Sequence, residues 1–125
     1  MELKPKFIVT PVGSGGIYVG LLDGVQKYLP STKLIGLGTK ECFSSLADKL
    51  CTPWTPYAKA LEVSQTHENI IIRLSEDEIK DTFTKFKHYA CMEPSSAVVF
   101  AALNLVPSIE PDDCVVLINT GKLKQ

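Results

Sequence analysis

The segment KFIVTPVGSGGIYVGLLDGVQKYLPSTKLIGLG, residues 6–38, decides the fold. Its opening, KFIVT at 6–10, is continuous, apolar and rich in β-branched side chains, which suits a strand covered on both faces. GIYVGLLDGVQKYL (16–29) follows, with Ile17, Leu21, Val25 and Tyr28/Leu29 on one helical face. PST at 30–32 ends that helix, and KLIGLG at 33–38 reads as a second buried strand. A strand, a helix and a strand joined by short loops form a right-handed βαβ crossover, and that crossover requires a parallel sheet.

The remainder continues the pattern. CFSSLADKL (42–50) reads as a short helix, and CTPWTPY (51–57) as a proline-broken loop that carries the single Trp. NIIIRL (69–74) is a third strand. In SEDEIKDTFTKFKHYA (75–90), Ser75 and Glu78 stand at capping-box spacing, and Ile79, Phe83, Phe86 and Ala90 give one apolar stripe. EPSSAVVFAALNLV (93–106) starts another helix with Pro94 at its first position, apolar nearly all round and so expected deep in the domain. After the turn PDD (111–113), CVVLINTG (114–121) is a final buried strand ending in Thr-Gly. The fold class is α/β, a three-layer, mostly parallel sheet with helices on both faces, and residues 1–125 form one domain.

Composition narrows the function classes. A chain of 125 residues, 45% hydrophobic and 22% charged, fits one globular domain. A net charge of −1 with no basic run gives no support to a nucleic-acid or membrane surface. No stretch approaches membrane-spanning length, and the N-terminus lacks the pattern of a signal peptide. Cys42, Cys51, Cys91 and Cys114 are far apart, so no zinc site or redox pair is signalled; Cys91 and Cys114 sit among apolar neighbours as small buried hydrophobes. A cytoplasmic, reduced protein is expected. His67 and His88 are single and distant from any Cys or paired carboxylate, which argues against a metal site. Ser95-Ser96 is not in a nucleophile elbow, and SEDE (75–78) has the spacing of a first helical turn. Trp54 reads either as a loop aromatic packed on the domain or as a cover over a pocket.

The chemistry concentrates in Gly13-Ser14-Gly15-Gly16, between the first strand and the first helix. A dinucleotide fingerprint would need glycine where Tyr18 stands and an acid where the second strand reads Gly36-Leu37-Gly38. The Gly-Lys-Ser/Thr of a P-loop is absent too. What remains is a nest of main-chain N–H groups at a helix N-terminus with a Ser hydroxyl, suited to one terminal phosphate. From the residues alone, a tight turn with glycine for steric relief is an equal reading.

These segments together resemble the fold type II pyridoxal-phosphate enzymes, the tryptophan synthase β-like superfamily. IVTPVGSGGIYVGLLDGV is similar to its phosphate cradle, TKLIGLGTKE to its next strand and RLSEDEIKDTF to the segment before its last core helix. YACMEPSSAVVFAAL resembles its Glu-Pro-x-x-Ala helix start, and PDDCVVLINTGKLK its final strand ending in Ser/Thr-Gly. LADKLCTPWTPYAKAL and the closing TGKLK look most like the threonine synthase and threonine dehydratase branch, although TGKLK has one residue fewer than that branch usually shows.

The resemblance implies pyridoxal phosphate as cofactor, its phosphate held by Gly13, Ser14, Gly15 and Gly16 and its ring nitrogen facing Thr120. A hydroxyl there leaves that nitrogen largely unprotonated. It also places Glu93 near the cofactor; the other reading of Glu93 is a helix cap, and that of Thr120 a polar strand end. The family's Schiff-base lysine lies far upstream of the glycine loop, whereas Lys4 and Lys6 here stand at the first strand and Lys27, Lys33 and later lysines fall on solvent-facing positions. On this reading the chain corresponds to the C-terminal half of the large domain, without the catalytic lysine and the substrate-carboxylate loop. Its partners would be a complementary N-terminal half or a second copy, and an amino-acid substrate. The parent reaction would be elimination or replacement, threonine-forming or threonine-deaminating. Two other readings stand beside it: a non-catalytic module that binds a phosphorylated small molecule, and a ligand-free dimerising domain.

Overall fold

The computed structural model describes residues 4–40, 47, 50, 54–63, 69–90 and 94–120. Four strands, β1 (Phe7–Pro11), β2 (Lys33–Thr39), β3 (Asn69–Leu74) and β4 (Val115–Leu117), form one sheet in the order β3-β2-β1-β4. Every pairing is parallel: Phe7 stands opposite Lys33 and Val115, and Leu34 opposite Asn69. The connecting helices are α1 (Gly16–Tyr28), α2 (Pro56–Val63) and α3 (Glu76–Ala90). A last helical segment runs as α4 (Pro94–Ala97), a 3-10 turn (Val98–Ala101) and α5 (Ala102–Leu105).

Alternation along the strands sorts the core into two faces. Phe7, Val9, Ile35, Leu37 and Leu74 point to the side covered by α3 and the α4–α5 segment, where Ile79, Val98 and Val99 meet them. Ile8, Leu34 and Ile71 point to the other side, onto Tyr18, Leu22 and Val25 of α1 and Ala58 of α2. This is the three-layer parallel architecture expected from the sequence. The capping box forms as its spacing requires: Ser75 N–H donates to Glu78 Oε1 at 2.9 Å, and Glu78 N–H to Ser75 Oγ at 3.2 Å. On α3, Ile79 and Phe83 face the core and Phe86 stacks on Phe100 with ring centroids 4.7 Å apart.

The loop read over 51–57 gives way at Pro56 to a helix, α2, that the local pattern did not announce; four further expectations need correction. On α1 the buried residues are Tyr18, Leu22 and Val25, whereas Ile17 is 53% and Tyr28 80% exposed. The helix carries apolar pairs at 17–18 and 21–22, so its pattern fits two neighbouring faces; the sheet selects the one holding Tyr18. Gly36 provides the space, because a Cβ there would lie 2.7 Å from Val12 Cγ2 and 2.8 Å from Tyr18 Cδ2. Second, β4 is not fully buried but half-exposed, because among the described residues it has one strand neighbour, β1. Third, Cys114 at its start is for the same reason half-buried, a free thiol. Fourth, the last helical segment is buried at Ser95 to Val99, Ala101 and Ala102, but Leu103 and Leu105 on its last turn are exposed. The expected helix at 42–50 falls largely outside the described residues, as do Cys42, Cys51, His67 and Cys91; the side chain of Ala90, expected on the α3 stripe, and that of His88 are likewise outside them.

Burial of Tyr18 has a measurable consequence. Its hydroxyl donates to the Ile70 carbonyl at 3.4 Å, and burial pushes the phenol from its ordinary 10.0 up to about 12. As pH rises the unfolded chain therefore releases this proton first. Tyr18's contribution to stability is whole below pH 10 and is lost between 10 and 12, at a gradient of up to about 1.4 kcal/mol per pH unit. Urea melts across that window should show a steeper loss of stability for the wild-type chain than for Tyr18→Phe. Equal slopes would contradict the assignment.

Candidate functional site

The strand order fixes where a ligand can sit. From β1 the chain moves outward through β2 to β3, then returns to lay β4 on the opposite side of β1. The reversal leaves a crevice at the carboxyl ends of β1 and β4, the place where open parallel sheets bind ligands. A cavity of about 240 Å³ lies there, lined by residues that include Gly13, Ser14, Gly15, Gly16, Ser95 and Thr120.

The glycine loop is shaped by the chain beneath it. Gly15 has φ +98°, a left-handed conformation, and a Cβ on it would overlap the Cβ of Ala58. Ala58 is held in turn by its N–H bond to Thr55 Oγ1 at 3.2 Å, while Thr55 N–H donates to the Ser14 carbonyl at 2.9 Å. The segment from Trp54 to Ala58 thus forms the floor of the loop. Ser14 Oγ accepts weakly from Gly16 N–H at 3.4 Å, and Gly15 accepts the first helical bond, from Val19 N–H at 3.0 Å. Among the described residues, no acceptor is paired with the N–H groups of Gly13, Ser14 or Gly15. The first turn of α1 carries no acidic residue, so its positive end remains open to an anion.

The opposite wall is made by Thr120 and the start of α4. The Ile118 N–H bond to the Val9 carbonyl, 2.9 Å, prolongs the β4 pairing and brings Thr120 to the mouth of the cavity. Ser96, wholly buried, lies with its Oγ 2.8 Å from Thr120 Oγ1. Five of the six residues expected at the site, Gly13, Ser14, Gly15, Gly16 and Thr120, therefore line one cavity. The sixth, Glu93, lies outside the described residues, as does the closing TGKLK from Gly121 onward. Reading the sequence for chemistry did not reveal Ser96. The available signal was a pair of hydroxyls, Ser95 and Ser96, in an otherwise apolar buried segment, each of which demands a partner.

A match along the sequence decides the family. Residues 1–121 match the family described as "Pyridoxal-phosphate dependent enzyme". The chain belongs to that family. Pyridoxal phosphate is the cofactor that defines it, in agreement with the cofactor that the resemblance implies. Solved structures with the same fold include the threonine deaminase of T.th., with a TM-score of 0.71 at 18% identity over 97% of this chain and 51% of that one. The serine racemase of Dictyostelium discoideum gives 0.75 at 22% identity over 97% of this chain and 45% of that one. The processed threonine deaminase isoform 2 of Solanum lycopersicum gives 0.73 at 19% identity over 99% of this chain and 42% of that one. This family member thus spans about half the length of the structures it matches. A comparison with curated sequences finds no match.

The lysines of this family member stand away from the cavity where they are described. Lys6 lies at the amino end of β1, 3.4 Å from Asp113, and Lys27 is paired with Asp23 on the surface of α1. From Lys6 to Gly13 the extended backbone spans about 20 Å, beyond the reach of a lysine side chain. Among the described residues, no lysine lines the cavity. Trp54 packs on the domain: it is buried against Gly38, with the Arg73 guanidinium 4.0 Å above its ring. Arg73 also grips Glu62 in a bidentate pair, at 2.6 and 2.9 Å, and so ties β3 to α2. Gly36 and Gly38, where a dinucleotide-binding sheet would carry its acid, serve to admit the rings of Tyr18 and Trp54. No described helix is long and apolar enough to cross a membrane.

Proposed function

We propose that this chain forms the cofactor-phosphate half of a pyridoxal-phosphate-dependent enzyme acting on an amino acid, with a dehydratase-like or threonine synthase-like elimination or replacement as its reaction. The observation that carries the reading is the convergence of unpaired loop amides and Thr120 on one cavity at the reversal of strand order. Its chemistry fits the cofactor. The N–H groups of Gly13 to Gly16 and the Ser14 hydroxyl bind a phosphate at the positive end of α1, and no carboxylate in the first turn competes for them. Gly15, in the left-handed conformation, sets the turn that brings residues 13–16 to the cavity wall, and Thr120 offers a hydroxyl at the far wall for a ring nitrogen. When bound, pyridoxal phosphate supplies an electron-accepting ring that stabilises negative charge at the substrate's α carbon.

The lysine that such chemistry requires is contributed, on this reading, by a complementary N-terminal half. The structural neighbours named threonine deaminase, serine racemase and L-serine ammonia-lyase support a small hydroxy-amino acid as substrate. A cytoplasmic setting belongs to the same reading.

Thermal unfolding with pyridoxine 5′-phosphate tests it, since that molecule keeps the ring and phosphate but lacks an aldehyde that could label surface lysines. At about ten times its dissociation constant it should raise the melting temperature by about 4–7 °C. No shift at millimolar ligand would contradict the proposal.

A further inference from the structure

We propose that Ser96 is a positioning residue for Thr120: its buried hydroxyl donates to Thr120 Oγ1, which turns the Thr120 proton toward an acceptor nitrogen on a ligand whose phosphate occupies the glycine loop. The inference rests on the cofactor reading above and adds the group that sets the polarity of its far wall.

The two hydroxyls differ in surroundings. Ser96 is wholly buried and followed by Ala97, Val98 and Val99, all in the core, whereas Thr120 is exposed at the cavity. They come from separate elements, 24 residues apart, and meet at 2.8 Å. Among the described residues, Thr120 is the partner of the Ser96 hydroxyl. A buried hydroxyl must use that partner, because water cannot reach it.

One proton lies between the two oxygens, and geometry alone allows either to donate. If Thr120 donates, its proton is spent and the cavity wall presents lone pairs. If Ser96 donates, Thr120 keeps its proton for the cavity and accepts at the same oxygen, which strengthens its own donation. A ligand with an unprotonated ring nitrogen selects the second arrangement; a protonated ring or an ammonium group selects the first. Ser96 also restricts the rotation of Thr120, so less freedom is lost when the ligand binds. The wall therefore discriminates between ligands by the presence of a ring acceptor, while the glycine loop recognises only the phosphate.

The test uses the full chain and three probes: pyridoxine 5′-phosphate, its analogue with a ring CH in place of the nitrogen, and inorganic phosphate. Dissociation constants are measured for wild type, Ser96→Ala, Thr120→Val and the double variant. Ser96→Ala should weaken pyridoxine 5′-phosphate about three- to tenfold and leave the other two probes unchanged. Thr120→Val should reproduce that selectivity, and Ser96→Ala should add nothing to it. An equal loss for all three probes would show a merely structural role, and an unchanged constant for pyridoxine 5′-phosphate would show no role; either overturns the inference while the cofactor reading stands. A wild-type chain that fails to bind pyridoxine 5′-phosphate overturns both. If Ser96→Ala does not fold, Ser96→Cys, which keeps the shape and weakens the donor, takes its place: loss of affinity confined to the nitrogen-bearing probe supports the inference, and any other pattern refutes it.

Discussion

Replacing Gly15 by alanine is expected to destabilise the chain by about 2–5 kcal/mol and to remove its affinity for phosphate. Two costs combine. A non-glycine residue at φ +98° pays about 1–2 kcal/mol for the left-handed conformation. The new methyl also overlaps the Cβ of Ala58, a buried helix position with no room to retreat, and overpacking of this kind costs about 1–3 kcal/mol. Relief requires rotation of the loop or displacement of α2, and either turns the amides of residues 13–16 away from a common point. Loss of affinity should therefore exceed what destabilisation alone produces. Urea denaturation and phosphate titration of Gly15→Ala, alongside Gly20→Ala where a Cβ meets nothing within 4 Å, separate the two effects. Near-wild-type stability and affinity in Gly15→Ala would refute the loop geometry.

Trp54→Ala should cost about 3–5 kcal/mol, the range for truncating a buried tryptophan. The ring fills the hollow over Gly38 and carries the Arg73 guanidinium on its face. Its removal opens a cavity and leaves the Arg73–Glu62 pair more hydrated. The effect should reach the site, because Thr55 and Ala58, on the same short segment, hold the underside of the glycine loop. Phosphate affinity should fall with stability, and Trp54→Phe should recover part of both. A variant that loses stability but binds phosphate as tightly as wild type would show that the segment is not the floor of the site. Denaturant melts with parallel calorimetric titration provide the measurement.

Much of the fold was legible because its signals are local. NIIIRL coincides with β3, the Ser75–Glu78 box marks the start of α3, and the βαβ unit follows from the segment 6–38. What failed depended on distant partners. The buried face of α1 was ambiguous between two apolar neighbours, and the choice was made by the hollow at Gly36 on another strand. The apolar run CVVLIN gave no indication that β4 stands half-exposed beside a single described neighbour, since edge position belongs to topology and not to composition. The loop at the site was legible as a glycine cluster, but the left-handed turn at Gly15 and the lack of room for a Cβ against Ala58 depend on α2, which the local pattern did not announce. The pairing of Ser96 with Thr120 was beyond reach for the same reason: 24 residues separate two hydroxyls that share one hydrogen bond.

The central claim is that the amides of the glycine loop and Thr120 form one ligand site. Amide chemical shifts of the isotope-labelled chain, followed through a titration with pyridoxine 5′-phosphate, test it directly. Saturable shifts are expected to concentrate at Gly13, Ser14, Gly15, Gly16 and Thr120, with inorganic phosphate reproducing those of the loop and sparing Thr120. Shifts that leave the loop unmoved, or that scatter over surface lysines without saturating, would contradict it.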